Sequence, residues 1–558
     1  MEINTEPKQI YQEYQTSRDL KNSINLYRNV ELNQKFINGD QWGTVVAPLI
    51  DKPVINILKP ARNYYISNLV SDDIAVSSQF EGKPLDETGI PEQDEIIKQQ
   101  KEAMKSVFNF IANTAIKDVI RNTRFKQESR EFLSDCATNG DAWFHWFYNT
   151  DINTKSEHIG AIDLELIDNT NIHFGNSSQS KVQRQPYIII SKRMLVSDVQ
   201  AQYPSKKDEI FPDDAESMIG SIQEAERAYM YVTVLCKFYK KKVTDSNGDT
   251  VENVHYVECT NSTMLRDEVN LGTNLYPIEG MVWQKVKNIY HGVSPFTEVR
   301  SNQVSINKFY MMFQEMTKRN TFIKYIYNQD FFVDGFSNKT EAIALSGSPM
   351  PVSDMFSAIV PPQTNVGQFL QYATDLIEKT NKAMGIYDIG LGNAKMDTTS
   401  AIIQLQKSAS QPLELQRLNY YQVVENCARI IVDIMSAKYG VRDIPFEITS
   451  PDGSVRKGKI PFNFADLDFE EFNMKVDIGS ASYWSEITQI RTLDNMLQNQ
   501  LVDAMTYIEL LPQGVVVGRE IIKEAMRAKI AVLNKQAEMI QQQGVGANGT
   551  SQMQRMPQ

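Results

Sequence analysis

Residues 290–327 constrain this chain most, because they predict one helix with more apolar surface than a single subunit can cover. Gly292 and Pro295 indicate a turn, since glycine permits positive φ and proline holds φ at about −65° in a first helical turn. Ser294 is then the expected N-cap. From Ile306 onward, apolar residues recur at helical steps over roughly 33 Å, at about 1.5 Å per residue. These residues form one stripe of Ile306, Phe309, Phe313, Met316, Ile323 and Tyr327, and a second set of Met311, Met312, Phe322, Tyr325 and Ile326. We expect a neighbouring copy of the chain to cover the second set.

Length and composition limit the class of protein. The 558 residues are 42% hydrophobic, which allows several cores and predicts two to four structural units. A net charge of −12 argues against a protein that grips nucleic-acid phosphates over most of its surface. The four cysteines lie far apart and predict neither a zinc site nor a disulfide framework. A polar N-terminus and the lack of a long apolar run predict a soluble intracellular product without a signal peptide or membrane span.

Hydrophobic periodicity predicts an α+β fold. Helical spacing covers residues 9–38 and 94–139, with another helix after Pro60 and a polar excursion over 71–99. After Gly140 the period changes to two, which predicts strands and a hairpin turn at 244–249. Strands return late, so the β region is expected to be discontinuous. The predicted strands are 143–148, 162–167, 187–190, 231–238, 251–257, two around 451–453 within 446–464, and 474–478.

The second half of the chain predicts long helices with defined interruptions. A helix over 365–384, with Phe369, Ala373, Ile377 and Met384 on one face, is followed by a glycine-rich break at 385–398. The next helix, 399–438, contains Pro412, which removes a backbone hydrogen bond and must kink or divide it. Residues 483–537 are expected to be helical, and the polar residues after 541 to be disordered.

The search for catalytic chemistry is mostly negative. No phosphate-binding loop of the Walker type is present, and Gly390-Leu-Gly392 lacks the third glycine of a dinucleotide motif. The five histidines have no metal-ligand spacing and are expected to be strand or turn residues. Carboxylate pairs such as Asp72-Asp73 and Glu470-Glu471 are typical of solvated faces. We therefore assign no catalytic residue, no metal ligand and no cofactor.

Three motifs, in this order along the chain, resemble those of tailed-bacteriophage portal proteins, the head-to-tail connectors. The first, Phe36-Ile-Asn-Gly-Asp-Gln-Trp42, is similar to an F-x-x-G-x-x-W entry motif of that family. The second resembles the run into the portal stem helix and comprises Pro277-Ile, Trp283, Tyr290-His-Gly-Val-Ser-Pro295, Gln303 and Asn307. The third, Thr399-Ser-Ala401, follows the glycine-rich break and resembles the start of a long kinked helix.

The resemblance implies a portal-type α+β subunit with long stem helices, a discontinuous wing, a small clip and a helical crown. The implied divisions are 1–289 for the wing, 290–327 for the first stem helix, 328–362 for the clip, 363–384 for the second stem helix, 385–398 for the tunnel loop, 399–440 for the kinked helix, 441–482 for strands returning to the wing, 483–540 for the crown and 541–558 for a disordered tail.

The resemblance also implies where such a subunit makes contacts. The tunnel loop would touch DNA in the channel, the stem would contact neighbouring subunits, and the clip would receive the packaging motor. The corresponding residues are Tyr387, Asn393, Lys395 and Met396 in the tunnel loop, Ile306, Phe309, Phe313, Met316 and Ile323 in the stem, and Asn328, Asp330, Asp334 and Lys339 in the clip.

The implied function is a ring of about twelve subunits at one capsid vertex, through which double-stranded DNA is packaged and ejected. Implied partners are the terminase large subunit, the major capsid protein, a scaffolding protein and a neck or tail adaptor. The implied location is the virion, after assembly in the host cytoplasm, with no membrane contact. An acidic channel suits this role, because it repels a duplex and lets it slide.

Two other functions remain open at this point. One is a DNA-processing enzyme of a packaging system, either a nuclease or an ATPase, which the missing nucleotide and metal motifs disfavour. The other is a different structural component of the virion, such as an internal scaffold. Scaffolds are usually more uniformly helical and charged than this chain.

Overall fold

The computed structural model describes residues 3–43, 50–70, 75–81, 91–153, 159–213, 231–244, 250–321, 324–328, 342–345, 356–359, 366–386, 411–449, 455–467, 471–477, 493–499 and 507–508. The chain divides into two units, one of residues 1–70 and 75–477 and one of residues 71–74 and 478–558. In the second unit the described residues are 493–499, which begin with a short helix, and 507–508. Tyr507 donates a 2.6 Å hydrogen bond to Asp494 of that helix. All elements named below belong to the first unit.

The N-terminal third is mainly helical, as its periodicity predicts, but two of the predicted helices are divided. Residues in the left-handed region, Asn25 (φ 56°) and Arg124 (φ 53°), interrupt them. A strand lies within the stretch predicted as a polar excursion. The elements are α1 (Pro7–Ser23), α2 (Leu26–Asn38), α3 (Leu58–Leu69), β1 (Ala75–Phe80), α4 (Pro91–Asn122) and α5 (Phe125–Asn139).

Gly140 ends α5 with φ 102°, and a β-rich region follows. The predicted strands between residues 143 and 257 are all confirmed, each within a longer observed strand. The elements are β2 (Asp141–Asn153), β3 (Ile159–Ile167), β4 (Ile172–Phe174), β5 (Tyr187–Leu195), α6 (Val196–Gln202), β6 (Tyr231–Thr244), β7 (Thr250–Cys259), β8 (Met264–Asn270) and β9 (Ile278–Val282).

These strands form two antiparallel sheets, one in the order β3-β2-β9 and one in the order β4-β5-β6-β7-β8. One face of the five-stranded sheet contributes Ile188 and Ile190 to a core that also contains Trp143 and Ile278 of the three-stranded sheet. The alternate residues, such as Ile189, point to the other face and pack against α1. The period of two in the sequence thus places one set of side chains between the sheets and the other beneath α1.

The second half alternates helices with small sheets. The elements are α7 (Pro295–Thr321), β10 (Lys324–Asn328), β11 (Ala342–Leu345), β12 (Phe356–Ile359), α8 (Val366–Ala383), α9 (Glu414–Lys438), β13 (Val441–Thr449), β14 (Val455–Asn463) and β15 (Phe472–Asp477). A 3₁₀ turn, Gln411–Leu413, precedes α9 and contains Pro412, where the sequence predicts a kink. No described helix is long and apolar enough to cross a membrane.

The late strands do not join the two central sheets. β13 pairs with β14, and β15 pairs with β1, both antiparallel, so the expected return to the β-rich region takes the form of two separate two-stranded sheets. The helix α9 packs against β15 and β9, and most of its residues from Tyr420 to Met435 are buried. With both helices and mainly antiparallel sheets, the chain is an α+β protein.

Candidate functional site

The entry into α7 is built from a capped turn and two glycines in close contact. Ser294 accepts a hydrogen bond from the backbone N–H of Phe296 (3.1 Å) and donates one to the carbonyl of Ala137 (2.6 Å), which confirms it as the N-cap. The expectation of a positive φ at Gly292 is wrong, because the φ of Gly292 is not positive. The glycine it packs against, Gly140, has φ 102°. Gly292 is required for another reason: an added Cβ would lie 2.4 Å from the Gly140 carbonyl oxygen.

A buried hydrogen bond between a carboxylate and an imidazole lies beside this turn. Asp141, 1% exposed, accepts hydrogen bonds from His291 Nδ1 (2.8 Å), Trp143 Nε1 (2.8 Å) and Asn169 Nδ2 (3.0 Å). Burial favours the neutral carboxyl, but His291 and the two other donors bring the pKa of Asp141 below its ordinary value. The pair joins the start of β2 to the start of α7. The sequence predicts a turn at His291, but Asp141 and His291 are too far apart in sequence to suggest that they pair.

An extended segment, residues 50–57, which we call the strap, lies along α7 and pairs with two of its amide side chains. Gln303 donates to the carbonyl of Ile55 (2.7 Å) and accepts from the N–H of Ile57 (3.1 Å). Asn307 accepts from the N–H of Ile55 (3.0 Å). Both amides are at most 1% exposed. They satisfy backbone N–H and C=O groups of the strap that would otherwise need a neighbouring strand.

The first sequence motif meets the second at this point. Asn307 donates to Gln41 Oε1 (2.6 Å), and Trp42 Nε1 donates to the carbonyl of Pro53 in the strap (3.0 Å). Gly39 (φ 94°) ends α2 and lets the chain turn toward these contacts. The motifs were identified separately along the sequence. In the structure Gln41 and Trp42 of the first motif and Asn307 of the second share one hydrogen-bonded cluster at the base of α7.

Helices α7 and α8 form an antiparallel hairpin. The Phe309 ring lies 4.7 Å from that of Tyr372, and Asn302 donates to Thr380 Oγ1 (3.2 Å). Ala373 and Met384 are buried and Phe369 and Ile377 half-buried, which confirms the predicted contact face of α8. Large apolar side chains still reach solvent on this hairpin: Met312 is 43% exposed, Leu370 38% and Tyr372 53%.

The predicted stem residues fall into three groups. Ile306 is fully buried, Phe309, Phe313 and Met316 are half-buried, and Ile323 lies outside the described residues. The expectation of a helix through residue 327 is wrong, because α7 ends at Thr321 and residues 324–328 form β10. β10 lies between β11 and β12, and hydrogen bonding on both sides holds this β-branched and aromatic run extended.

Only one predicted clip residue is described. Asn328 ends β10, opposite Leu345, whereas Asp330, Asp334 and Lys339 lie outside the described residues. The predicted tunnel-loop residues Tyr387, Asn393, Lys395 and Met396, and the third motif at 399–401, also lie outside them.

The described ends of the segment 387–410 lie side by side. A Cβ on Gly385 would be 2.9 Å from Cβ of Pro412, and Tyr65 donates a 2.7 Å hydrogen bond to the carbonyl of Met384. Ile386, the last described residue before the segment, is buried. The end of α8 and the 3₁₀ turn before α9 are therefore close together in space.

Among the described residues, no group of three or more His, Cys, Asp or Glu side chains is placed to hold a metal ion. The four cysteines are free and buried, and burial raises the pKa of the Cys136 thiol well above its usual value. His145, His173 and His255 lie in strands, as predicted, and His158 is outside the described residues. In the comparisons with known proteins, no family model matches the chain and no curated protein is significantly similar to it.

Proposed function

We propose that this chain is the subunit of a ring-shaped viral portal, the channel through which double-stranded DNA enters and leaves a capsid. The observation that carries the proposal is the hairpin of α7 and α8, in which two long antiparallel helices are connected through a small three-stranded sheet. At the base of the hairpin, two of the three motifs that resemble portal proteins meet through hydrogen bonds. In a portal subunit, the hairpin would form the stem, the three-stranded sheet would form the clip, and the hydrogen-bonded motifs would form the base of the stem.

Apolar exposure on the hairpin supports association between copies. Met312, Leu370 and Tyr372 are each more than a third exposed in the single chain. A head-to-tail contact between two different faces of a subunit generates a closed ring when the rotation fits. In the proposed assembly the hairpins line up around the axis and bury these side chains, and the ring has about twelve copies.

The charge of the chain suits a conduit. A duplex carries about one negative charge per 1.7 Å, and twelve chains of −12 would carry a formal −144. Net repulsion keeps binding weak, so DNA slides through without a fixed register. Under this proposal the chain has no catalytic activity of its own, and the motor and the neck or tail adaptor are separate proteins docking at opposite ends of the ring. Capsid and scaffolding proteins would surround it during assembly.

Electron microscopy and mass photometry of the purified full-length chain test the proposal. We expect rings of about twelve subunits with a central hole. Tyr372→Asp should shift the population to monomers at micromolar concentration, because it places a charge in the apolar contact. Thr374→Asp, an equally exposed position of α8, is the matched control and should leave the rings intact. A monodisperse wild-type monomer would contradict the proposal.

A second experiment separates a conduit from a DNA-processing enzyme. The purified protein is incubated with ATP, or with linear and supercoiled DNA and magnesium or manganese. We expect neither hydrolysis nor cleavage. Metal-dependent nicking that one carboxylate substitution abolishes would instead support the nuclease alternative.

A further inference from the structure

Where α1 packs against the rest of the chain, three buried basic residues surround a single acidic residue. We call this cluster the α1 junction. It consists of Lys21 on α1, His173 on β4, His291 before α7, and Asp141 at the start of β2. Each of these four residues is at most 1% exposed. Charges are seldom buried this completely unless they are paired, so the balance of charge within the cluster determines its stability.

Lys21 is held by main-chain oxygens and not by a carboxylate. Its ammonium donates to the carbonyls of Asn169 (3.0 Å), Thr170 (2.9 Å) and Ile172 (2.6 Å). These three bonds use every proton of the ammonium group. Burial lowers the pKa of Lys21 well below its ordinary value, and Arg18 lowers it further. The charge that favours the ammonium form is that of Asp141, whose carboxylate binds His291 directly. With both histidines neutral, the junction holds one cation and one anion.

His173 has only neutral partners. Its Nδ1 lies 3.0 Å from the hydroxyl of Ser17, and its Nε2 lies 3.3 Å from the hydroxyl of Ser191. Ser191 donates its own proton to the carbonyl of Asn171 (3.2 Å), so it faces the imidazole as an acceptor and Nε2 carries the ring proton. A second proton on the ring would bring a positive charge beside Lys21 with no anion to meet it. Burial and Lys21 both lower the pKa of His173.

His291 cannot take up a proton without cost either. Its Nδ1 already binds Asp141, and among the described residues its buried Nε2 has no hydrogen-bond partner. An imidazolium would occupy the one carboxylate and leave Lys21 uncompensated. The remaining titratable groups around the junction are Tyr14, Arg18, Tyr27, Tyr290 and Cys136, and the pKa values of the tyrosines and the thiol are raised, so none is an anion near neutral pH.

We propose that the α1 junction is an acid-sensitive latch that holds α1 on the five-stranded sheet only while both histidines are neutral. Helix α1 is the element to be released, because it contributes Lys21 and Ser17 and is buried along one narrow face, from Ile10 to Lys21. The sheet beneath it keeps a second core on its other face. The latch does not depend on the proposed function, since all of its residues belong to one chain.

The sign of the effect follows from the histidines. A histidine whose pKa is lowered in the fold leaves the stability unchanged above its ordinary pKa of 6.5, and it destabilises the fold as the pH falls below that value. Acid therefore opens the junction, and neutral pH closes it. Tyr290 and His291 lead directly into α7, so opening also loosens the entry to that helix.

Hydrogen exchange at pH 7.5, 6.5 and 5.5, corrected for the intrinsic pH dependence of exchange, tests the latch on the wild-type full-length protein. We expect peptides from α1 to exchange at least tenfold faster at pH 5.5 than at pH 7.5, while peptides from β6 and β7 stay protected. Unchanged protection of α1, or loss of protection in α1 and the sheet together, would overturn the proposal.

His173→Gln removes one proton-binding site and should reduce the acid-induced acceleration in α1 at least threefold. His255→Gln is the matched control, because His255 is also a buried strand histidine, but it lies 2.8 Å from Glu268 and outside the junction. The control should behave like the wild type. If His173→Gln folds and keeps the full acceleration, the latch is wrong. If it does not fold, the wild-type exchange pattern decides.

Discussion

The two halves of α7 lie in different environments, although they belong to one continuous helix. In the first half, Phe296, Gln303, Ile306 and Asn307 are buried against the strap, α3 and α5. In the second half, from Lys308 to Lys318, no described side chain is fully buried, and α8 and the end of the strap supply its contacts. Both halves have similar apolar periodicity. Periodicity thus predicts that a face is covered, but it does not tell whether the cover is the same chain or another one.

The difference has an energetic consequence. Large apolar side chains each contribute about 1.5–3 kcal/mol when fully buried, so the first half of α7 stabilises the single chain. In the proposed assembly, the second half would contribute the remaining part of this free energy to association. Substitutions should therefore affect folding in the first half and assembly in the second. Three of the four predictions that follow test this division.

The largest effect is expected at the turn before the first half. Gly292→Ala places a methyl group 2.4 Å from the Gly140 oxygen and 2.6 Å from Val282 Cγ1. The first of these is a backbone atom, which cannot swing away as the end of a flexible side chain can. We expect the free energy of unfolding to fall by about 3 kcal/mol. Denaturant titration at constant protein concentration measures it. Gly367→Ala, at an exposed position of α8, is the control and should cause no loss.

The next effect concerns the strap. Gln303→Leu keeps the side chain's approximate volume but leaves the carbonyl of Ile55 and the N–H of Ile57 without their partner. Because an orphaned buried polar group costs about 1–3 kcal/mol, the free energy of unfolding should fall by about 2–3 kcal/mol. Gln371→Leu, on the exposed side of α8, serves for comparison. Equal stability of the two variants would mean that the strap does not hold the first half.

A pH-dependent effect is expected outside α7, at the contact between β9 and α9. Glu279 on β9 is 9% exposed and accepts a 3.2 Å hydrogen bond from Asn426 of α9, and burial raises its pKa to about 7. The fold favours the neutral carboxyl, so its stabilising contribution is complete below a pH of about 4.5 and is lost as the pH rises to about 7.

Glu279→Gln removes this dependence. We expect the variant to exceed the wild type by about 2–3 kcal/mol in free energy of unfolding at pH 8 and to match it near pH 4. Comparing the two proteins at each pH cancels the contribution of the other titrating groups. A difference that is the same at both pH values would show that the carboxyl is not responsible.

The smallest effect on folding is expected in the second half of α7. Met312→Ala removes a side chain that is 43% exposed, so the free energy of unfolding should change by no more than about 0.5 kcal/mol. Ring formation should nevertheless require a higher protein concentration, as measured by mass photometry across a dilution series. Lys308→Ala, one turn earlier and exposed, should change neither quantity. A large loss of stability in Met312→Ala would contradict the proposal that the second half of α7 contributes little to folding of the single chain.

Long periodic elements could be predicted from the sequence, but their partners could not. The helices, the strands from residue 143 to 257 and the cap at Ser294 follow from periodicity and local hydrogen bonding, which act over a few residues. The end of α7 was missed because Tyr325 and Ile326 fit a helical stripe as well as a strand, and only pairing with β11 and β12 decides between them. The breaks at Asn25 and Arg124 carry no proline or glycine and so leave little signal.

The candidate site shows the same limit. Gln303 and Asn307 were singled out for their spacing, but the strap that they bind lies some 250 positions earlier, and no local pattern connects the two. Asp141 and His291 are separated by 150 positions. Such contacts depend on the whole topology. The sequence indicates that Gly292 matters, but it does not give the reason, because the close approach of the Gly292 and Gly140 backbones is a tertiary property.

The contact between Gly385 and Pro412 has a consequence for variation in length. The segment between them starts and ends at one place, so its length does not set the spacing between α8 and α9. Insertions or deletions between residues 387 and 410 should therefore be tolerated by the fold, whereas a single added residue within α7 would rotate the rest of that helix by about 100° relative to α8. The chain can lengthen there without redesign of its helices.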